Sequence, residues 1–204
     1  MAFDLGFNFR GTSGFVTDAA YGVPGLAEMY PHTYTAANGY SINAGVSGTT
    51  GSENNAASND PRIAGDNYVN PSTTTNFLVD LSSGSAPGAG TYSVDLAMGV
   101  SNFGTAMACV VKDNTTIILD LTNGGSGYVT TNGHYIDASG ANLAATTSWT
   151  GTPVNLTFAT TTCYLVLNPA SLASYTMIGT FRLTLASSQS VVPALMAEYR
   201  QRGA

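Results

Sequence analysis

Two segments with strict two-residue alternation constrain this chain more than anything else in it. In Thr75 to Leu81, the residues Phe77, Val79 and Leu81 share one phase. In Gly90 to Gly99, Tyr92, Val94, Leu96 and Met98 share another. Period two sends successive side chains to opposite faces, so each segment predicts a half-buried strand. The residues between them, Ser82 to Gly90, are turn formers, and the pair reads as a hairpin. Phe3, Leu5, Phe7 and Phe9 alternate in the same way and predict a first strand. Thr105 to Val111 and Thr115 to Leu121 predict a second hairpin around Lys112-Asp113-Asn114. Tyr128 to Thr130 and His134 to Ile136 predict a third across Asn132-Gly133, a dipeptide favoured in two-residue turns. Val154 to Phe158, Cys163 to Leu167 and Tyr175 to Leu185 complete the set.

Between Gly11 and about Asn70 the chain is rich in Gly, Ser, Asn, Pro and Ala. Short strands are expected near Phe15-Val16-Thr17 and Thr33-Tyr34-Thr35, and Gly45 to Asp60 reads as a long loop. Short strands at regular spacing indicate an all-β, antiparallel β-sandwich of the jelly-roll kind, spanning residues 1–188 as one domain. The tail 189–204 predicts a short amphipathic helix opened by Pro193, with Leu195, Met196 and Tyr199 on one side. Ten residues do not hold a helix alone in water. The tail is therefore expected to dock on its own domain, to dock on a partner, or to fray.

Only 9% of the 204 residues are charged, against roughly 25% in ordinary soluble domains. Hydroxyls and amides fill the surface positions. The net charge of −6 and the scattered Arg10, Arg62, Arg182, Arg200 and Arg202 argue against nucleic acid, which needs clustered cations. They argue equally against an anionic membrane surface. No apolar run approaches the ~20 residues of a membrane-spanning helix, and Met1-Ala2-Phe3-Asp4 does not open a secretory signal. Cys109 and Cys163 lie inside apolar runs and read as buried free thiols, a single disulfide between facing strands being the alternative.

No nucleophile elbow, phosphate loop or zinc spacing is present, and His32 and His134 read as ordinary surface histidines. Asp80, Asp95 and Asp120 fall in the polar phase of strands and read as solvated. No enzymatic activity and no cofactor are expected. Calcium is the ion that Asp4, Asp60 and Asp66 could hold together with backbone carbonyls. The 11 tyrosines carry more weight. Tyr30, Tyr34, Tyr40 and Tyr68 lie in or beside the early loops, where aromatic faces with neighbouring Asn and Asp suit sugar rings.

Several of these segments resemble a known family. Phe3-Asp4-Leu5-Gly6 is similar to the opening Phe-Asp-Phe-Gly of galactose-binding-like jelly-roll modules, found beside rhamnogalacturonan acetylesterase and related polysaccharide-active domains. Tyr34 to Ser41 resembles their Tyr-x-x-x-x-Gly-Tyr segment. Phe77-Leu78-Val79-Asp80-Leu81 and Gly90-Thr91-Tyr92-Ser93-Val94 resemble their central strands, and Thr162 to Leu167 and Phe181 to Thr184 their closing ones. The family's charged stretch corresponds to Asn59-Asp60-Pro61-Arg62, and its aromatic after Gly-Tyr is replaced near Ile42. The esterase's catalytic Gly-Asp-Ser is absent. The resemblance implies glycan binding, for which Tyr34, Tyr40, Asp60, Arg62 and Tyr68 are the candidate residues.

The chain reads as complete from Met1 to Ala204, without an export signal or a catalytic partner domain. Together with the charge-poor surface and the tail residues Leu195, Met196 and Tyr199 as an assembly element, this leads to a concrete expectation. It is a structural, surface-exposed protein of a bacteriophage virion, decorating a capsid or associated with a tail. It would be made in the host cytoplasm and released by lysis, with protein partners in a homo-oligomer or lattice. A stand-alone carbohydrate-binding module is the alternative.

Overall fold

The computed structural model describes residues 4–9, 26–29, 40–42, 50–54, 60, 62–63, 65–82, 86–99, 104–144 and 148–186. The strands are β1 (Asp4–Phe9), β2 (Leu26–Met29), β3 (Tyr40–Ile42), β4 (Thr50–Asn54), β5 (Gly65–Val69), β6 (Thr75–Asp80), β7 (Gly90–Gly99) and β8 (Ala106–Met107). They continue with β9 (Cys109–Asp113), β10 (Thr116–Leu121), β11 (Tyr128–Val129), β12 (His134–Ile136), β13 (Asn142–Ala144), β14 (Val154–Phe158), β15 (Thr162–Leu167) and β16 (Thr176–Leu185). The expected strands near Phe15 and Tyr34 and the expected tail helix lie outside the described residues.

The chain is an all-β sandwich, mostly antiparallel. The larger sheet is built on β7 and β16, ten residues each, which lie side by side with Asp95 opposite Arg182 and Leu96 opposite Phe181. Beyond β7, two short strands share one column: β14 along Gly90 to Val94 and β12 along Met98 to Gly99. Beyond β16, β5 pairs at Thr176 to Ile178 and β1 at Thr180 to Thr184. Then β2 adds to β1 in parallel, β4 to β5 and β13 to β12, both antiparallel. The second sheet runs β10-β9-β15-β6-β3.

The alternation read in the sequence sets which side chains meet between the sheets. From the five-stranded sheet come Phe77, Val79, Leu81, Cys109, Val111, Cys163, Leu165 and Leu167; from the larger sheet come Phe7, Phe9, Tyr92, Val94, Leu96, Met98, Phe158, Phe181 and Leu183, all buried. Phe77 is the pivot. Its ring meets Phe7 at 4.9 Å, Phe9 at 5.4 Å and Phe181 at 6.4 Å, each edge to face.

Three local expectations change. First, β6 and β7 do not form a hairpin: β6 pairs with β15 and β3, β7 with β16, β14 and β12, so the turn-rich link crosses between sheets. Alternation fixes which face is buried but not which sheet a strand joins. Second, Asn132-Gly133 makes a turn, with the His134 N–H on the Thr131 carbonyl at 3.0 Å and Gly133 at φ 76°. The flanking segments part there, however: β11 pairs with β8, and β12 with β7 and β13. Third, Thr50 to Asn54, read as loop, is a strand because β5 supplies a partner, Thr50 opposite Val69. The β9–β10 hairpin is present, with Asp113 opposite Thr116 around Asn114-Thr115.

Cys109 and Cys163 are buried and free. Cys109 lies opposite Leu167 and Cys163 opposite Asp113 on adjacent strands. Four residues along a ladder amount to about 13 Å, well beyond the ~7 Å between α-carbons that a disulfide tolerates. Burial pushes the Cys109 thiol up to about 12, Asp120 adding to the effect, and pushes Cys163 up likewise. Both should resist a thiol-labelling reagent in the native protein and label together on unfolding. Labelling of either at native rates would contradict this burial.

Candidate functional site

The outer face of the five-stranded sheet carries a groove of about 450 Å³. On β6 the residues Thr75, Phe77 and Val79 are buried while Asn76, Leu78 and Asp80 are half-buried on the other face. On β15 the same alternation turns Cys163 and Leu165 inward and Tyr164 and Val166 outward. Register then assembles the site. Tyr164 stands opposite Leu78 on one side and Lys112 of β9 on the other, and Val166 stands opposite Asn76. A row of three neighbouring strands spans about 10 Å. Asn114 and Thr115, from the β9–β10 turn, line the groove's end.

Among the described residues, the Tyr164 hydroxyl, the Lys112 ammonium and the Asn76 side-chain amide make no hydrogen bond or ion pair. The described residues lining the groove include no carboxylate, histidine or thiol. What such a surface offers is an aromatic platform with an apolar shoulder, ringed by amide, hydroxyl and ammonium donors. It can hold a polar ligand, and its lining supplies no nucleophile and no acid–base pair.

A second cluster covers the outer face of the larger sheet, where Ile63, Ala97, Tyr135 and Trp149 form a small separate core. Asp60 is buried and organises it. Its Oδ1 accepts the Arg62 backbone N–H and Nε–H, both at 3.0 Å. Its Oδ2 accepts Arg62 Nη2–H and the Trp149 backbone N–H, both at 2.7 Å. The Trp149 indole N–H donates to Asp95 Oδ1 at 3.0 Å. Asp137, also buried, accepts the backbone N–H groups of Ser139, Ala141 and Thr152 at 2.9, 2.9 and 2.8 Å. Segment 148–152 is thus fastened at both ends and at its ring. Gly151 lies so close beneath the indole that a Cβ there would run into it.

Burial opposes ionisation of Asp60 and of Asp137, but their donors prevail and hold both below the usual carboxylate range: chiefly Arg62 for Asp60, the Ser139 hydroxyl and backbone N–H groups for Asp137. Asp95 goes the other way. Burial raises its pKa, and Trp149, Arg62 and Arg182 only partly offset that. Asp95 is therefore an indole-bonded carboxylate and not the solvated one its strand phase suggested.

Of the residues expected to bind a ligand, Asp60 and Arg62 are turned to each other and to Trp149, on the face of the sandwich opposite the groove. Tyr68 is half-buried and meets Tyr175 edge-on at 5.6 Å. Tyr40 begins β3, opposite Val79 in register, and its side chain lies outside the described residues. So do Tyr34, Leu195, Met196 and Tyr199. Among the described residues no three His, Cys, Asp or Glu side chains group to hold a metal ion, and the oxygens of Asp60 already accept four donors. Asn76, Lys112 and Tyr164 were not singled out from the sequence. Their outward phase was readable, but their adjacency depends on the lateral order β9-β15-β6.

No family model matches the chain, and no curated protein matches it. Among solved structures it is similar to the arabinose-bound MgGH51 α-L-arabinofuranosidase, with 14% identity, a TM-score of 0.37, and coverage of 76% of this chain and 24% of that one. The chain spans about a quarter of that enzyme's length, and a likeness of this size carries no argument about activity or ligand.

Proposed function

We propose that the chain is a non-catalytic surface protein that binds and assembles: a galactose-binding-like jelly roll holding a glycan in the Tyr164 groove, displayed on a bacteriophage virion as a capsid-decoration or tail-associated component. The observation that carries the binding part is the groove itself. A tyrosine sits between an apolar neighbour and a cation, with amides at hand, and its polar heads are unpartnered among the described residues. Sugars present apolar ring faces and a rim of hydroxyls, and this lining matches both. The resemblance of the strand segments to galactose-binding-like modules supports the same reading. The virion context rests on the charge-poor surface, 9% charged residues, and on the amphipathic tail pattern at Leu195, Met196 and Tyr199.

A glycan array, followed by titration of the hits, tests binding. Wild type should bind at least one glycan at micromolar to millimolar concentration, and Tyr164→Ala should weaken it about tenfold or more, as expected for a ring contact of 1.4 kcal/mol or more. A blank array would sink the glycan part. Light scattering on a sizing column, for the full chain and for one ending at Ser188, tests assembly. An oligomer that becomes monomeric on truncation supports the virion reading, and a monomer in both cases counts against it.

A further inference from the structure

The groove's charge points to a narrower ligand class, and this inference rests on the glycan-binding reading above. Lys112 is the chain's only lysine, in a molecule of net charge −6. It stands beside Tyr164 in register, on the groove wall. Acidic residues are close along the chain and across the sheet, yet none forms an ion pair with it. Asp113 faces the opposite side of β9 and accepts the N–H groups of Ala159 and Thr160 at 2.7 and 3.1 Å. Asp80 accepts the Ser82 N–H and hydroxyl at 2.8 and 2.6 Å. Asp120 accepts the Thr122 N–H at 2.9 Å. Lys112 makes no ion pair with any described residue. Lys112 is therefore the one cation among the described residues that line the groove, and no described carboxylate pairs with it.

We infer that the groove recognises an acidic glycan, one containing a hexuronate, whose carboxylate is held by Lys112 while its ring lies on Tyr164. Asn76 and Asn114 are then placed to meet ring hydroxyls. A carboxylate projecting from the edge of a stacked ring is the group that an ammonium beside the platform would select, and a charge-assisted contact of this kind is roughly twice as strong as a neutral one. Lys112 acts as a point charge and so fixes the sign of the ligand more firmly than its linkage.

The test uses the full chain and oligomers of glucuronate, mannuronate and galacturonate, each beside its carboxyl-reduced neutral counterpart, by titration calorimetry at low and high salt. In at least one pair the uronate should bind about tenfold more tightly. That preference should shrink with salt and vanish in Lys112→Gln, while Tyr164→Ala weakens both members. Lys112 is on the surface, so an unchanged melting temperature should confirm that the Lys112→Gln protein is folded. Equal binding of uronate and neutral partner, or a preference that survives in Lys112→Gln, overturns the inference and leaves the glycan reading standing. Binding to no member of any pair overturns this inference alone when the array gives a hit, and both readings when the array is blank.

Discussion

Replacing Asp60 by alanine is expected to lower the unfolding free energy by about 4 kcal/mol, because breaking a buried pair leaves its partner uncompensated. The carboxylate is buried and holds the Arg62 guanidinium and the Trp149 backbone N–H at once. Its removal orphans both, and the fastening of Trp149 over Ala97 and Tyr135 goes with them. Trp149 is the sole tryptophan, so its emission reports the loop while urea reports the whole domain. The expected result is a lowered urea midpoint with red-shifted emission. Adding Arg62→Met should recover part of the loss, since the orphan charge disappears. A loss below about 1 kcal/mol would mean that Asp60 does not fasten the loop.

The same carboxylates set a pH dependence. Asp60, Asp113 and Asp137 all have folded-state values held below the ordinary one, because hydrogen-bond donors outweigh burial at each. Their contribution is complete above the unfolded value near 3.9 and is lost as pH falls through the folded values. Asp95 has the opposite sign: its raised value makes stability fall as pH rises from about 3.9 through it. The net expectation is an acid limb below about pH 4, shallower in Asp60→Ala than in wild type.

The second large effect lies between the sheets. Phe77→Ala should cost about 3–5 kcal/mol, in the range for a fully buried phenylalanine. The ring is 2% exposed and belongs to the five-stranded sheet, while its edge-to-face neighbours Phe7, Phe9 and Phe181 belong to the other. No collapse of one strand can refill a space walled from both layers. Ile117, half exposed on β10, is the contrast; its alanine variant should change stability by about 0.5 kcal/mol or less. Equal urea midpoints for the two variants would show that Phe77 is not a contact between the layers.

Among the strands legible in the sequence, β1, β6, β7, β14, β15 and β16 carry an apolar phase along the chain, although Thr176 to Phe181 of β16 is buried on both faces. Each needs only local pattern, because one face of each is apolar whichever sheet it joins. The strand Thr50-Gly51-Ser52-Glu53-Asn54 has no such pattern and exists through its pairing with β5, so nothing local announced it. The groove was illegible for a related reason. Asn76, Lys112 and Tyr164 are far apart in the chain and become neighbours only once β9, β15 and β6 are ordered side by side. Trp149 was illegible as well, since its partners Asp60 and Asp95 come from distant segments.

The pairing of β1 with β16, Asp4 opposite Thr184, bears on how the molecule is made. β1 finds its antiparallel neighbour only when Thr176 to Leu185, far along the chain, has been synthesised. Until then the edge of β1 that will pair with β16 is open, and Phe7 and Phe9 lack the layer they belong to. So many pairings between distant segments imply slow, late closure of the sandwich. A nascent chain stalled before residue 176 should therefore be open to proteases and prone to pair with other copies, whereas one extended past Leu185 should close the larger sheet over the five-stranded one.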